Sequence, residues 1–435
     1  MKKIAVTLAA LAVAISALAQ DFETGYFLKS YSHVYRMNPA LRPDKSFVSL
    51  PVVGGLSMTV GGNIGLDNIL YPLENGKLGT FMHPEITTDR ALSGLKSTNK
   101  MTLSGNTNLF SMGFKKGRAF HTIDASIRTI NNGVVPYELF SFMKRGLEDG
   151  RLDIPDINFG SSIFLEVAYG LSLQVSEGLT IGARVKYLAG MENSFLKAKN
   201  LSVTESNGFW SVSGDAELSM ALDGAEIEFR EAPGQPSDII DNIDLDDMKL
   251  FAGHGMAVDL GFDYKVSPSF RVSASITDLG GISWQNDIMG KTTGGTWEYN
   301  PDSEEPLEDL ANLLELHSVN PKNEFRTLDA TARLGAKWDF TKSLSFGVLG
   351  KHRFGMISLS ELRGSANLKL LGVLSLTGSL AVNDFGVCYG GALLLDCKVF
   401  TLYFGMDSVP TKVTPQYIPV SAGTVAMSGG LNITF

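Results

Sequence analysis

Six histidines, His33, His83, His121, His254, His317 and His352, are the first places to look for metal or acid–base chemistry. None stands at metal-ligand spacing from another His or from a Cys. A serine hydrolase would need a Ser and a His brought together, and His121 on the apolar side of its segment is a lone candidate. Asp238, Asp241, Asp244, Asp246 and Asp247 could offer oxygens to calcium. Their order is not that of an EF-hand loop and the turn glycine is missing, so they read as a solvated acidic loop. Cys388 and Cys397 are nine residues apart on one expected strand. That separation is about 30 Å and puts them on opposite faces, so both read as free thiols. No catalytic, cofactor-binding or metal site emerges, and the chain does not read as an enzyme.

The charges that ask for an explanation lie inside apolar segments. Asp124, Glu166, Arg184, Lys186, Asp259, Asp263, Lys265, Asp329 and Arg333 alternate with large apolar side chains. In 160–175, Ile163, Leu165, Val167, Tyr169, Leu171 and Leu173 fall on one face, and Phe164, Glu166, Ala168, Gly170 and Ser172 on the other. A period of two is a β-strand with two unlike faces. On a lipid face near mid-bilayer each basic side chain would cost about 2–4 kcal/mol. The charges are therefore expected to line a polar or wet lumen while the apolar face meets lipid.

The elements that would position them repeat along the chain. Strands are expected at 46–60, 101–114, 118–129, 160–175, 179–191, 194–205, 209–222, 254–266, 269–284, 326–340, 343–355, 360–370, 373–383, 387–396, 398–407 and 424–435. That is sixteen, or fourteen if doubtful ones merge. Short turns at 115–117, 176–178, 206–208, 267–268, 341–342, near 371 and near 397 alternate with long connections such as 62–99, 131–158, 223–253, 285–324 and 408–422. Outer-membrane barrels have short periplasmic turns and long outer loops. Short helices are expected in two loops, from Pro136 to Arg145 and from Pro306 to His317.

Residues 1–19 read as a signal peptide: Lys2 and Lys3, an apolar run, then Ala17-Leu18-Ala19 before Gln20. The final strand ends on Phe435, the terminal aromatic expected as an assembly signal. A formal charge of −9 argues against nucleic acid as a partner. A charged content of 19% with 46 glycines suits a barrel with an apolar outer face, a polar lumen and Gly where strands bend or pack closely. Residues 20–45, rich in Tyr and Phe and broken by Pro39 and Pro43, are either a periplasmic leader or a plug.

Three stretches carry a family resemblance. Asn38-Pro39-Ala40-Leu41 is similar to the Asn-Pro-Ala element of barrels related to long-chain fatty-acid transporters, with Leu41 where Gly is usual. Asp278-Leu279-Gly280-Gly281-Ile282-Ser283-Trp284 resembles the Asp-x-Gly-x-Ile-x-Trp strand end of a Bacteroidota-type outer-membrane barrel family of unknown function. Leu402-Tyr403-Phe404-Gly405-Met406-Asp407 looks like the penultimate strand of that family. The resemblance implies uptake or passage of small hydrophobic or amphipathic compounds, with Asn38, Pro39 and Ala40 in a plug. Its wider relatives also include a secretion barrel, so a non-transporting scaffold for surface or secreted proteins is the alternative.

The expectation is an all-β protein: a transmembrane antiparallel up-and-down β-barrel over 46–435, of 14–16 strands, integral to the outer membrane, with both termini periplasmic. The expected partners are outer-membrane lipid, the outer-membrane assembly machinery and a small hydrophobic molecule, with no cofactor.

Overall fold

The period-two pattern runs through fourteen antiparallel strands that close on themselves. The computed structural model describes residues 22–435 apart from 66–67, 148–149, 207–208, 225, 230–237, 245–249, 286, 300–315, 321–322 and 409–422. The strands are β1 (Phe47–Ser49 and Leu56–Gly62), β2 (Thr98–Lys116), β3 (Ala119–Pro136), β4 (Ile157–Gln174), β5 (Leu179–Ser206), β6 (Gly253–Lys265) and β7 (Phe270–Trp284). There follow β8 (Thr331–Asp339), β9 (Leu344–Arg353), β10 (Leu359–Leu370), β11 (Leu374–Asn383), β12 (Gly386–Asp396), β13 (Phe400–Ser408) and β14 (Gly423–Thr434). Each pairs with the next, and β14 closes the ring on β1, with Met427 opposite Met58 and Ile433 opposite Val48.

The alternation assigns the faces. On β4, Val167, Tyr169, Leu171 and Leu173 are exposed outward while Phe164, Glu166 and Ser172 are buried inward. On β6, Leu260, Phe262 and Tyr264 point out while Asp259 and Asp263 point in. The outward apolar band is the surface that a bilayer demands of a barrel. Among the described residues no helix is long and apolar enough to cross a membrane.

One end of the barrel carries the short turns at 117–118, 175–178, 266–269, 340–343, 371–373 and 397–399; we call it the turn end. The other is the loop end. There β5 is a single strand of 28 residues, where the sequence pattern suggested two. A bulge explains the difference: Ile163 faces Glu192 and Phe164 faces Gly190, so Met191 is an extra residue and the alternation slips by one. The far half of β5 then pairs with Phe209–Ala221, which pairs with Asp287–Tyr299. These two strands extend the sheet beyond the ring and are not wall strands. β5 and Phe209–Ala221 therefore meet at the loop end, not among the short turns, and residues 207–208 of the expected turn lie outside the described residues.

Two helices belong to loop-end connections, α1 (Thr88–Leu92) and α2 (Tyr137–Arg145). Gly146 follows α2 with φ +73, a conformation that favours glycine. The expected helix from Pro306 falls mostly outside the described residues, and His317–Val319 is a short strand.

A second bulge matters more. β7 pairs with β8 as far as Thr277 and with Glu324–Thr327 from Gly281 onward. Between them, Asp278 has φ +65 and Gly280 φ +158. Ser273, Ser275 and Thr277 are buried on the inner face, and the bulge turns Asp278 inward beside them.

Candidate functional site: the filled lumen

The interior is not an open channel. Residues 22–41 lie inside the ring, folded around two short 3-10 turns, Glu23–Gly25 and Val34–Arg36. Phe22, Tyr26, Leu28, Tyr31, Val34 and Met37 form an apolar cluster with Leu349, Leu394 and Tyr403 of the wall. Small wall residues make room for it. A side chain on Gly405 would meet the Phe22 ring, and one on Gly347 the Phe27 ring.

Asn38 and Pro39 sit against two more bare positions. A Cβ on Gly261 would lie 2.1 Å from Asn38 Oδ1, and one on Gly182 would lie 2.2 Å from the Pro39 carbonyl. Asn38 is fully buried. Its Nδ2 donates to the Phe262 carbonyl at 3.3 Å, the Ala274 carbonyl at 3.2 Å and the Tyr26 hydroxyl at 3.1 Å. Its Oδ1 accepts from the Ala40 N–H at 2.9 Å. Ser172 Oγ donates to the Ala40 carbonyl and Ser275 Oγ to the Met37 carbonyl. The aromatic cluster supplies burial, and these polar contacts fix the register of the segment against the wall.

Most of the inward charges form two networks. In the first, Arg184 binds Asp259 at 2.7 Å, Asp124 at 2.9 Å and Glu166 at 3.3 Å. Lys186 binds Asp278 at 2.6 Å and Asp259 at 2.8 Å. Arg128 joins Asp278 at 2.7 Å to Glu166 at 2.8 Å. Arg36, from the N-terminal segment, reaches Asp124 at 3.3 Å. Four cations meet four carboxylates. The second network centres on Glu23, which binds Arg333 at 2.9 Å and Lys351 at 3.2 Å. Arg363 pairs with Glu361 at 2.9 Å. The Asp407 carboxylate accepts the backbone N–H groups of Glu23 at 2.8 Å and Thr24 at 2.5 Å. Three of each sign meet here.

Sequence reasoning named Asp124, Glu166, Arg184, Lys186, Asp259 and Arg333, and all are buried. They differ from a wet lining in being locked in ion pairs. Paired, buried charges are tolerable; unpaired ones are not. Asp263 is buried near the turn end with Arg271, and Lys265 beside it is exposed at the rim rather than inside. Asp329 is only partly buried and stands outside both networks, on the loop-end side. Arg36, Glu23, Arg128, Asp278, Lys351, Arg363, Glu361 and Asp407 were missed as members. For Asp278 the signal was the Gly280-Gly281 pair after it, which marks a bulge in a strand.

In the N-terminal segment, burial would raise the Glu23 carboxyl, but Arg333 and Lys351 outweigh it and hold it down at about 2. Burial, with help from Arg36, pushes His33 down to about 3. His33 is therefore neutral at ordinary pH, with Nε2 donating to the Gly54 carbonyl at 2.9 Å. His121 pairs with the Tyr169 hydroxyl on the outer face at 2.8 Å. Among the described residues no group of His, Cys, Asp and Glu is placed to hold a metal ion. Cys388 and Cys397 are free thiols.

Two cavities flank the segment. One of about 330 Å³ opens at the turn end, between Phe27, Leu41 and Phe120 and a rim that includes Lys115, Lys265 and Arg271. The other, of about 390 Å³, lies at the loop end over Phe164, Ile282 and Trp284. Between it and the segment is a narrow polar space of about 50 Å³.

This arrangement defines a membrane β-barrel whose lumen is filled by its own N-terminal segment. The chain belongs to the family of unknown function DUF5723, matched over residues 39–407. It is similar in fold to the Ralstonia pickettii toluene transporter TbuX, at 11% identity over 92% of this chain and 93% of that one, TM-score 0.48. It is also similar to the Pseudomonas putida toluene transporter TodX, at 9% identity over 96% and 94%, TM-score 0.42. The CymD monoaromatic hydrocarbon channel shares 9% identity over 96% and 94%, TM-score 0.31. A comparison with curated proteins gives no match. At such identities none of these carries a substrate to this chain.

Proposed function

We propose that the protein is an outer-membrane barrel through which small hydrophobic or amphipathic compounds pass, with residues 22–45 as its gate. Both termini and the short turns lie on the periplasmic side in this reading, and the loop end faces outward. The carrying observation is the order along the axis: a loop-end cavity, an inserted segment continuous with β1, and a turn-end cavity. The loop-end cavity lies within the roughly 300–1,000 Å³ typical of small-molecule sites. The gate is held by ion pairs and hydrogen bonds that a modest rearrangement can exchange. Phe435 serves assembly, with its N–H bonded to the Ser46 carbonyl at 3.0 Å and its ring exposed.

The test is entry of a hydrophobic fluorescent probe into liposomes carrying the purified chain, with and without residues 22–45. Faster entry than into empty liposomes supports passage. No acceleration by either form refutes it.

One feature favours the alternative of a scaffold for surface or secreted proteins. Strands Phe209–Ala221 and Asp287–Tyr299 extend the wall past the ring and contribute nothing to closing the barrel. A stoichiometric partner that is lost on deleting 285–324 would favour that role.

A further inference from the structure

The loop-end cavity has a chemical character of its own. Part of its lining is apolar and aromatic, Phe164, Ile282 and Trp284 with Phe195, Leu328 and Met356, and the rest is polar. Set among them are two buried amides. Asn132 is 9% exposed and Asn193 2%. Ile130, Ser162 and Asn193 stand opposite one another across β3, β4 and β5, and Asn132, Gly160 and Phe195 form the next inward row, two residues along each strand. Asn193 Oδ1 accepts from Ser162 Oγ at 2.8 Å. Its Nδ2 has no partner, and neither has Asn132 Oδ1. A buried donor and a buried acceptor thus go unanswered on the wall of a ligand-sized cavity.

The charges around the cavity do not favour an anion. Arg326 lies on its wall with Nη2 bonded to Glu324 at 2.8 Å and to Ser219 at 2.7 Å, Nε without a partner, and the guanidinium over the Phe195 ring. Asp329 and Glu217 add carboxylates to the same lining. A carboxylate ligand would satisfy the Asn193 donor but confront the Asn132 acceptor and these acids. An alkane or simple arene would satisfy neither amide. A hydroxyl or amide group both donates and accepts.

We infer that this cavity selects uncharged amphipaths that carry hydroxyl or amide groups on an apolar body, and discriminates against both carboxylate and purely hydrocarbon analogues. Asn132 and Asn193 are its specificity-determining residues. The inference rests on the passage reading and names the class of compound passed.

The probes are monodecanoyl glycerol, decanoate and decane, radiolabelled, bound at equilibrium to the full chain in nanodiscs with empty discs subtracted. Monodecanoyl glycerol is expected to bind about tenfold more tightly than either analogue, equivalent to about 1.4 kcal/mol. Asn193→Leu and Asn132→Leu should each erase most of that preference. The heat-modified gel mobility of each variant confirms a folded barrel. Equal or tighter binding of decanoate overturns the inference, as does an unaltered preference in both variants. If all three bind alike and probe entry is still accelerated, the inference fails and passage stands. If none binds and entry is not accelerated, both fail.

Discussion

Gly182 offers the cleanest perturbation of the docked segment, because it changes no charge and no wall hydrogen bond. It is the inward residue of β5 on which Pro39 and Ala40 rest. A methyl group there would lie 2.2 Å from the Pro39 carbonyl carbon and oxygen and 2.4 Å from the Ala40 nitrogen. Those atoms are backbone and have no rotamer by which to give way. Ordinary contact begins near 3.4 Å, so the segment must retreat by about 1 Å. That retreat strains the bonds from Ser172 to Ala40 and from Asn38 to Phe262 and Ala274. Overpacking of this kind costs about 1–3 kcal/mol, which raises the undocked population about 5- to 150-fold. Trypsin reads it out: Arg36 is almost entirely buried in the docked segment and becomes a cleavage site once displaced. Gly182→Ala in folded, detergent-solubilised barrel should be cut at Arg36 correspondingly faster. Gly378→Ala is the control, since a side chain there meets nothing within 4 Å. Equal cleavage of Gly182→Ala, the control and the parent would refute the docking geometry.

The ion-pair networks give further tests. Arg184→Met leaves Asp124, Glu166 and Asp259 facing one another in the buried interior and should cost about 3–5 kcal/mol; the barrel should lose heat resistance on a gel, and parental resistance would count against the network. Glu23 has a depressed pKa, so its contribution to docking is present above its ordinary value of 4.5 and is lost as pH falls through about 2. Pepsin should therefore cut the segment progressively faster from pH 4.5 toward 2, and Glu23→Gln should flatten that rise; a variant with the parental profile would be contrary. Deleting Phe435 should lower the amount of barrel in the membrane more than the heat resistance of the fraction that inserts, and equal membrane levels would contradict its role in assembly.

The wall was legible because alternation is local. Val167, Tyr169 and Leu171 against Glu166 and Ala168 announce two faces without any knowledge of neighbours. Strand β5 was broken in two at Met191 because a bulge on one strand is defined by the register of the next, which no single segment records. The same limit hid most of the interior. Arg184 and Asp259 could each be placed on the inner face, but that they meet at 2.7 Å depends on the pairing of β5 with β6. Partners such as Glu23 and Arg36 come from outside the wall altogether. A lumen read from strands alone therefore looks wet, whereas the inserted segment turns its charges into buried pairs. Asn132 and Asn193 gave no signal, since an asparagine on an inward strand position is ordinary until both its neighbours and the cavity are known.

Ion conductance across a planar bilayer tests the gate most directly. The full chain is predicted to conduct little, with the lumen filled, and the chain lacking residues 22–41 to open a steady conductance. Equal conductance from the two forms would contradict the account.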